Sequence, residues 1–297
     1  MLKKIYESAY RLFRIAGRTL IKYCSDSRPA SYPYVTGDGF RKLAKFIYDD
    51  TVKNVDPANV TEGDIIFVGN SNIKNFLRDI HPNVMNKYVL ISHNGDEAID
   101  DEAVKMAEEK VIKWYGINVT TTASKVVPLP LGIENKHYYV NGIPWIFDQA
   151  RGKKVEKKTK IFYAFSVINN VAERQPVLDI MKKNANGETI VKWLNFKKYI
   201  NLLNSYKFIV SPPGSSVEGI RNWDAFYLGV VPIVKRSITT TYFEKIGMPL
   251  WVVDEWSELN DIDSYTLAEK YDHIIRNGDN NKIFMEYWIN KIKNLDN

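Results

Sequence analysis

The sequence predicts an α/β fold made of two consecutive parallel sheets, and three observations predict it. Short β-branched runs alternate with segments of helical periodicity along most of the chain. A charged stretch almost without apolar residues, 149–159 (QARGKKVEKKT), interrupts them once near the middle. The segment 207–234 (KFIVSPPGSSVEGIRNWDAFYLGVVPIV) then packs strand, turn, helix and strand into one βαβ unit. The domains expected are 1–150 and 151–297, with a cleft between them and the last helix as a candidate to cross back.

Taken in order, SRPASYPYVTGDG is a loop and FRKLAKFIYDDTV has helical periodicity. DIIFVG reads as a strand at 64–68, NIKNFLRDIH as a helix and YVLIS as a strand at 88–92. DDEAVKMAEEKVIKWYG reads as one helix ended by Gly116, and VVPLPLGIE as a short strand and loop. After the charged stretch come KIFYAFSV as strand, NVAERQPVLDIMKKN as helix, TIVKWL as strand and FKKYINLLNSY as helix. PLWVVDEW adds a strand, and helices follow near 265–277 and 281–294. No solenoid repeat is present.

At 297 residues, 45% hydrophobic and 13% aromatic, the chain has enough apolar material for two cores. Its one cysteine, Cys24, excludes an internal disulfide and a cysteine-rich zinc site. The sequons at Asn59 and Asn118 say nothing of secretion. The formal charge is +6, and residues 1–24 alone carry Lys3, Lys4, Arg11, Arg14, Arg18 and Lys22 against Glu7. Leu2, Ile5, Tyr6, Ala9, Leu12, Phe13, Ala16, Leu20 and Ile21 recur between them at helical spacing, which predicts an N-terminal amphipathic basic helix. Two readings fit it: a helix lying on an anionic membrane surface, or one packed on the first domain with its basic face in water. No run reaches the ~20 apolar residues of a membrane span, so a cytoplasmic protein, peripheral on a membrane at most, is expected. The rest of the chain is nearly neutral and lacks a zinc-finger or RNP motif, so no nucleic-acid partner is expected.

In 207–234, Pro212, Pro213 and Gly214 stop the strand, and Ser215 or Ser216 is positioned to cap the next helix, with Ser215 to Glu218 at capping-box spacing. Free N–H groups in such a loop attract phosphate. Glu218, Arg221 and Ala225 recur on one helical face, Gly229 ends the helix and VVPIV begins a strand. Residue by residue, this is equally a packed βαβ unit with Glu218 as cap and Arg221 as surface charge. The run Glu218, Arg221, Trp223, Asp224, Ala225, Gly229 and Pro232 resembles the donor-domain signature of exostosin-like (GT47-like) glycosyltransferases, and more loosely that of inverting transferases of the GT-B type. The resemblance covers the C-terminal half and implies two Rossmann-like domains facing a central cleft. It also implies transfer of a hexosyl or pentosyl group from a nucleotide-diphosphate sugar to a glycan or glycolipid hydroxyl, with inversion. No cofactor or metal is required, because arginine and helix termini suffice for a leaving diphosphate.

The donor site implied by that resemblance joins Ser166, Asn169, Asn170 and Arg174 of FSVINNVAER to Ser211, Pro213, Gly214, Ser215, Ser216, Glu218 and Arg221. Arg174 suits bidentate phosphate contact, or else pairs with Glu173. For the general base, His93 and Asp96 of HNGD follow a strand directly, and Asp38 of TGDGFR, beside Arg41, is a second candidate or only an N-cap. Gly69, Asn70, Ser71 and Asn72 also end a strand, where amides suit sugar hydroxyls or turns. Asp261 and Asp263 form a D-x-D pair in a polar connector, read as a solvated loop, not a metal site. No GxGxxG or GxxxxGK[ST] run supports a dehydrogenase or P-loop ATPase. A nucleotide-sugar epimerase of GT-B-like fold and a non-catalytic membrane-associated scaffold are the alternatives.

Overall fold

The computed structural model describes residues 28–294 except 108, 139 and 193, together with Leu12 and Ala16. The basic helix expected over residues 1–24 lies outside the described residues but for those two. Among the described residues no helix is long and apolar enough to cross a membrane. The chain divides into two compact units, Met1–Ile143 with Met285–Asn297, and Pro144–Phe284.

The first unit holds a five-stranded, all-parallel sheet in sequential order, β1 (Phe46–Tyr48), β2 (Ile65–Gly69), β3 (Tyr88–His93), β4 (Val111–Gly116) and β5 (Val126–Pro128). All six residues of β3 are buried, as expected of a central parallel strand covered on both faces. Its helices are α1 (Gly37–Arg41), α2 (Ile73–Asp79) and α3 (Asp101–Met106). Two expectations are corrected here. The periodicity of FRKLAKFIYDDTV breaks after Arg41, and Phe46–Tyr48 becomes the edge strand β1. The single helix expected from Asp100 to Gly116 stops at Met106, and VIKWYG enters the sheet as β4. Pairing with β3 decides the second case, since Trp114 and Tyr115 are fully buried and the Trp114 indole donates to Ser92 Oγ at 2.8 Å.

The terminal helix, α10 in chain order (Met285–Lys293), belongs to this unit. Met285 N donates to Pro33 O at 2.9 Å, the Tyr32 hydroxyl to Glu286 Oε2 at 2.9 Å and the Tyr115 hydroxyl to Lys291 O at 3.3 Å.

The second unit begins with α4 (Pro144–Arg151) and holds β6 (Lys158–Phe162), α5 (Val171–Lys183), β7 (Gly187–Glu188) and α6 (Phe196–Leu203). These are followed by β8 (Tyr206–Val210), α7 (Ile220–Phe226), β9 (Val231–Lys235), α8 (Ile238–Lys245), β10 (Trp251–Val253) and α9 (Ser264–Asn277). The sheet is parallel in the order β10-β9-β8-β6-β7. Connections therefore run one way from β6 to β7 and the other way from β6 to β8. Such a reversal leaves a crevice at the carboxyl ends of the two strands, where open α/β sheets bind ligands.

Period-2 alternation puts Ile161, Phe208, Val210, Val231, Ile233, Trp251 and Val253 in one buried cluster, closed by Val177 and Met181 of α5 and Leu267 of α9. Thirteen buried residues share that core, enough to hold the sheet flat beneath the crevice. TIVKWL was expected as a strand, but β7 stops at Glu188 and Val191 is fully exposed.

The charged stretch 149–159 is only partly a connector: α4 runs through Arg151 and β6 starts at Lys158. Lys157 is tied into the unit, donating to Asn204 O (2.8 Å), Asn204 Oδ1 (3.0 Å) and Leu228 O (2.9 Å). Burial pulls its pKa down to about 8. Lys157→Met is expected to leave those oxygens without a donor and to destabilise the protein by about 2–4 kcal/mol in urea unfolding. A loss below about 0.5 kcal/mol would mean that water replaces the ammonium without cost.

Candidate functional site

At the reversal in the second sheet, the loops after β6 and β8 are bound together by one side chain. Arg174 Nε donates to Pro213 O at 2.8 Å and Nη1 to Ser166 O at 2.7 Å. A Cβ on Gly214 would lie 2.5 Å from Arg174 Nη2, so the guanidinium lies close against that glycine. Asn170 caps α5 by accepting from Glu173 N (3.3 Å), while its Nδ2 donates to Gly214 O at 3.2 Å. Arg174 does not pair with Glu173, whose Oε2 accepts from the Trp256 indole at 3.3 Å.

The helix expected to begin at Ser215 or Ser216 begins at Ile220, with Gly219 at the N-cap and no side-chain cap. Glu218 supplies no capping box: it is buried and its Oε1 accepts from the Trp223 indole at 2.5 Å. Burial of the indole N–H requires such a partner, and that requirement displaces the local capping pattern. Residues 211–219 consequently form an extended loop. In it Gly214 N donates to Ser216 O at 3.0 Å, and Ser211 Oγ is buried without a partner.

Arg221, in the first turn of α7, has its guanidinium carbon 5.8 Å from the Phe165 ring centroid. Its Nη1 is buried and makes no hydrogen bond. Burial pushes its pKa down, with Tyr199 and Asp224 opposing, and Arg174 is pushed down by burial and by the Arg221 charge. Two guanidinium groups thus repel one another beside a loop with unused donors. A cavity of about 420 Å³ opens alongside, lined by Phe165, Leu178, Ile190, Leu194 and Tyr199. That volume suits a nucleoside-sized ligand.

The first unit carries a second polar cluster at the carboxyl ends of β3 and β5. His93 ends β3 fully buried; its Nε2 donates to Pro130 O at 3.0 Å and its Nδ1 accepts from Asn94 N at 2.8 Å. Both ring nitrogens are used, and burial pushes its pKa down against the opposing Pro130, Asn94 and Asp38 contacts. That geometry gives His93 no free nitrogen with which to take a proton.

Asp38, on α1, is fully buried. Its Oδ1 accepts from Asn94 Nδ2 (3.2 Å) and Arg28 Nη1 (3.5 Å), and its Oδ2 is in short contact with His137 Nδ1. Asn135 closes the ring, accepting from Asp38 N at 2.8 Å and donating to Asn94 Oδ1 at 2.8 Å. Thr36, not Asp38, caps α1, accepting from Gly39 N at 3.1 Å. Arg41 Nε donates to Asp49 Oδ2 at 2.7 Å. Burial alone would raise the Asp49 carboxyl, but Arg41, the Thr51 and Val52 N–H groups and Arg28 outweigh it and hold it low.

The chain matches no protein-family model and no curated protein sequence. Among solved structures it is similar to OtsA in its apo form, at 11% identity over 78% of this chain and 73% of that one, with a TM-score of 0.44. It is also similar to the UDP-forming α,α-trehalose-phosphate synthase of Burkholderia vietnamiensis (10% identity, 81% and 76% covered, TM-score 0.44). A third is the α,α-trehalose 6-phosphate synthase of Burkholderia multivorans (8%, 80% and 72%, TM-score 0.42).

Of the residues expected at a donor site, Ser166, Asn170, Arg174, Pro213 and Gly214 come together through hydrogen bonds. Asn169 and Ser215 are exposed, Ser216 lies in the same loop, and Arg221 stands next to Arg174 electrostatically. In the first unit Asp38 and His93 meet in one cluster, whereas Asp96 is exposed on the following turn. Asn70 Nδ2 donates to Glu97 O, and Asn72 Nδ2 to Asp50 Oδ1, both at 2.8 Å. Asp263 caps α9, accepting from Thr266 N at 2.7 Å. Among the described residues no group of three His, Cys, Asp or Glu side chains is placed to hold a metal ion.

Arg28, Asn94, Asn135 and His137 were not singled out from the sequence. Only His137 carries a local signal, since it follows the VVPLPLGIE strand and loop as His93 follows YVLIS.

Proposed function

We propose that the second unit binds a nucleotide-diphosphate sugar and that the protein is a glycosyltransferase. The observation that carries this reading is the buried, unpartnered Nη1 of Arg221, repelled by Arg174, beside a cavity at the sheet reversal. An anion there supplies an acceptor for the stranded N–H and relieves the repulsion between the two cations. The diphosphate is assigned to Arg221 and the 211–219 loop, and the nucleoside to the cavity walled by Phe165 and Tyr199. Glu218, oriented by Trp223, is assigned to the ribose hydroxyls. The guanidinium charge stabilises the departing diphosphate without a metal.

The first unit is assigned the acceptor, a glycan or glycolipid hydroxyl, and direct displacement inverts the anomeric centre. Membership of the exostosin-like group is part of this reading. In its support, Gly229 has φ +61° where α7 ends, and Pro232 lies within β9, so both signature residues occupy backbone positions that suit them.

Thermal unfolding with UDP, GDP and ADP tests the donor site. At least one diphosphate is expected to raise the melting temperature of the wild type but not that of Arg221→Met. Stabilisation by none of the three, or equal stabilisation of the variant, rejects the assignment. Nucleotide release from the matching sugar donor separates transfer from epimerisation, which leaves the nucleotide attached.

A further inference from the structure

A transferase that uses a hydroxyl acceptor must give the hydroxyl proton somewhere to go, and the four histidines differ in their capacity to take it. His93 has both nitrogens engaged. His81 is buried, with Nδ1 2.7 Å from the Tyr88 hydroxyl, and burial with two nearby lysines pushes its pKa down. His273 lies on α9 in the other unit beside Asn277. His137 is different. Its Nδ1 meets Asp38 Oδ2, a group that accepts hydrogen bonds when ionised, so Nδ1 carries the ring proton and Nε2 the lone pair. Among the described residues Nε2 has no hydrogen-bond partner. Three donors, from His137, Asn94 and Arg28, converge on the Asp38 carboxylate.

We infer that His137 is the general base of the transfer and Asp38 its positioning residue, an inference that rests on the transferase reading above. Nε2 takes the proton of the acceptor hydroxyl as that oxygen bonds to the anomeric carbon. The bond from that carbon to the diphosphate oxygen breaks, and its electron pair leaves with the nucleoside diphosphate. The imidazolium afterwards releases its proton to water. Asp38 fixes the Nδ1–H tautomer and balances the imidazolium charge, as a buried carboxylate does for a histidine base.

The surroundings are built to hold Asp38 still. Asn94, with φ +60°, is pinned by His93 through its backbone N–H, and Asn135 bridges it to the Asp38 backbone. This assigns His93 a task other than the proton transfer expected of it from sequence. It orients the amide that orients the carboxylate. The charged groups around the pair are Arg28, which reaches Asp38, and the Arg41–Asp49 ion pair, whose Asp49 lies 3.7 Å from Arg28.

The test uses the full chain and its His137→Gln, Asp38→Asn and His273→Gln variants. Nucleoside-diphosphate binding by calorimetry is expected to be unchanged in all of them. Nucleotide release from UDP- and GDP-sugars, with a panel of free sugars and alkyl glycosides as acceptors, is expected to fall about 10²–10⁴-fold in kcat for His137→Gln and to stay at the wild-type level for His273→Gln.

Two-bond ¹⁵N–¹H spectra of histidine-labelled protein read the ring without reference to turnover. His137 is expected as the Nδ1–H tautomer in the wild type, with loss of that signature in Asp38→Asn. An Nε2–H tautomer in the wild type, or release by His137→Gln within threefold of wild type, overturns the base. Failure of the wild type to bind any nucleoside diphosphate instead removes the donor reading, and a wild-type ring with the expected tautomer separates the two failures.

Discussion

Arg174→Lys is expected to lower nucleoside-diphosphate affinity about 10²-fold, although the substitution keeps the charge. The guanidinium is used as a planar fork: Nε on Pro213 O, Nη1 on Ser166 O, with Nη2 close to Gly214. An ammonium is a single point and cannot serve two carbonyls on different loops from that distance and plane. Leaving either carbonyl unmet inside the fold costs about 1–3 kcal/mol. The loop is the only other place that energy can be recovered, so 211–219 is expected to rearrange away from Arg221. Calorimetric titration of the diphosphate that stabilises the wild type measures the effect, and a melting temperature within 2–3 °C would localise the change to the loops, on the scale of about 1 kcal/mol. Wild-type affinity in Arg174→Lys would show that the clasp is irrelevant to binding. The same result with Arg221→Met would remove the site altogether.

Gly37→Ala is expected to destabilise the first unit by about 2–4 kcal/mol and to dismantle the Asp38 ring. A Cβ at this position would sit 1.8 Å from Asn94 Oδ1 and 2.4 Å from His93 Nδ1. Neither neighbour has room to retreat. His93 is anchored to Pro130 O and packs its ring against Phe40 at 5.6 Å, and Asn94 is bonded to Asp38 and Asn135. The methyl therefore displaces the Asn94 amide, and Asp38 loses one of its three donors. Urea unfolding gives the stability change, and the histidine ¹⁵N spectra report on His137. Diphosphate binding is expected to persist, because no group assigned to it lies in the first unit. Stability within 0.5 kcal/mol of wild type would mean that the loop after β3 can move aside freely.

Much of the fold is legible because buried parallel strands have a simple signature. IIFVG, YVLISH, KFIV and VPIV are continuous apolar runs, as strands covered on both faces must be, and each is found as β2, β3, β8 or β9. VIKWYG was taken for helix because it continues the amphipathic spacing of the segment before it. Only the neighbouring strand β3, with Ser92 ready for the Trp114 indole, makes extension the better state. FIY is likewise a strand because β2 lies beside it. TIVKWL shows the converse, a β-rich run for which the sheet provides pairing only at Gly187 and Glu188 just before it.

The same division holds at the two polar clusters. Local chemistry marked Arg174, Gly214, Glu218 and Arg221, because turns, helix starts and strand ends leave a record within a few residues. It also marked Asp38 and His93, but with the roles uncorrected by their neighbours. Asp38 looked like a cap and proved to be a buried acceptor; His93 looked like a base and proved to have no nitrogen to spare. Glu218 looked like half of a capping box, and a buried indole five residues on claimed it.

The sequence by itself determined the strand runs, the parallel α/β rhythm and the positions of the turns, since each depends on the residues within one or two turns of chain. Tertiary structure alone decided that His137 meets a carboxylate 99 residues away, that Arg174 clasps Pro213 from 39 residues away, and that Arg221 is left with an unmet donor. The physical reason is range: backbone propensity acts through adjacent residues, whereas burial forces each polar group to find whatever partner the packed fold brings within about 3 Å.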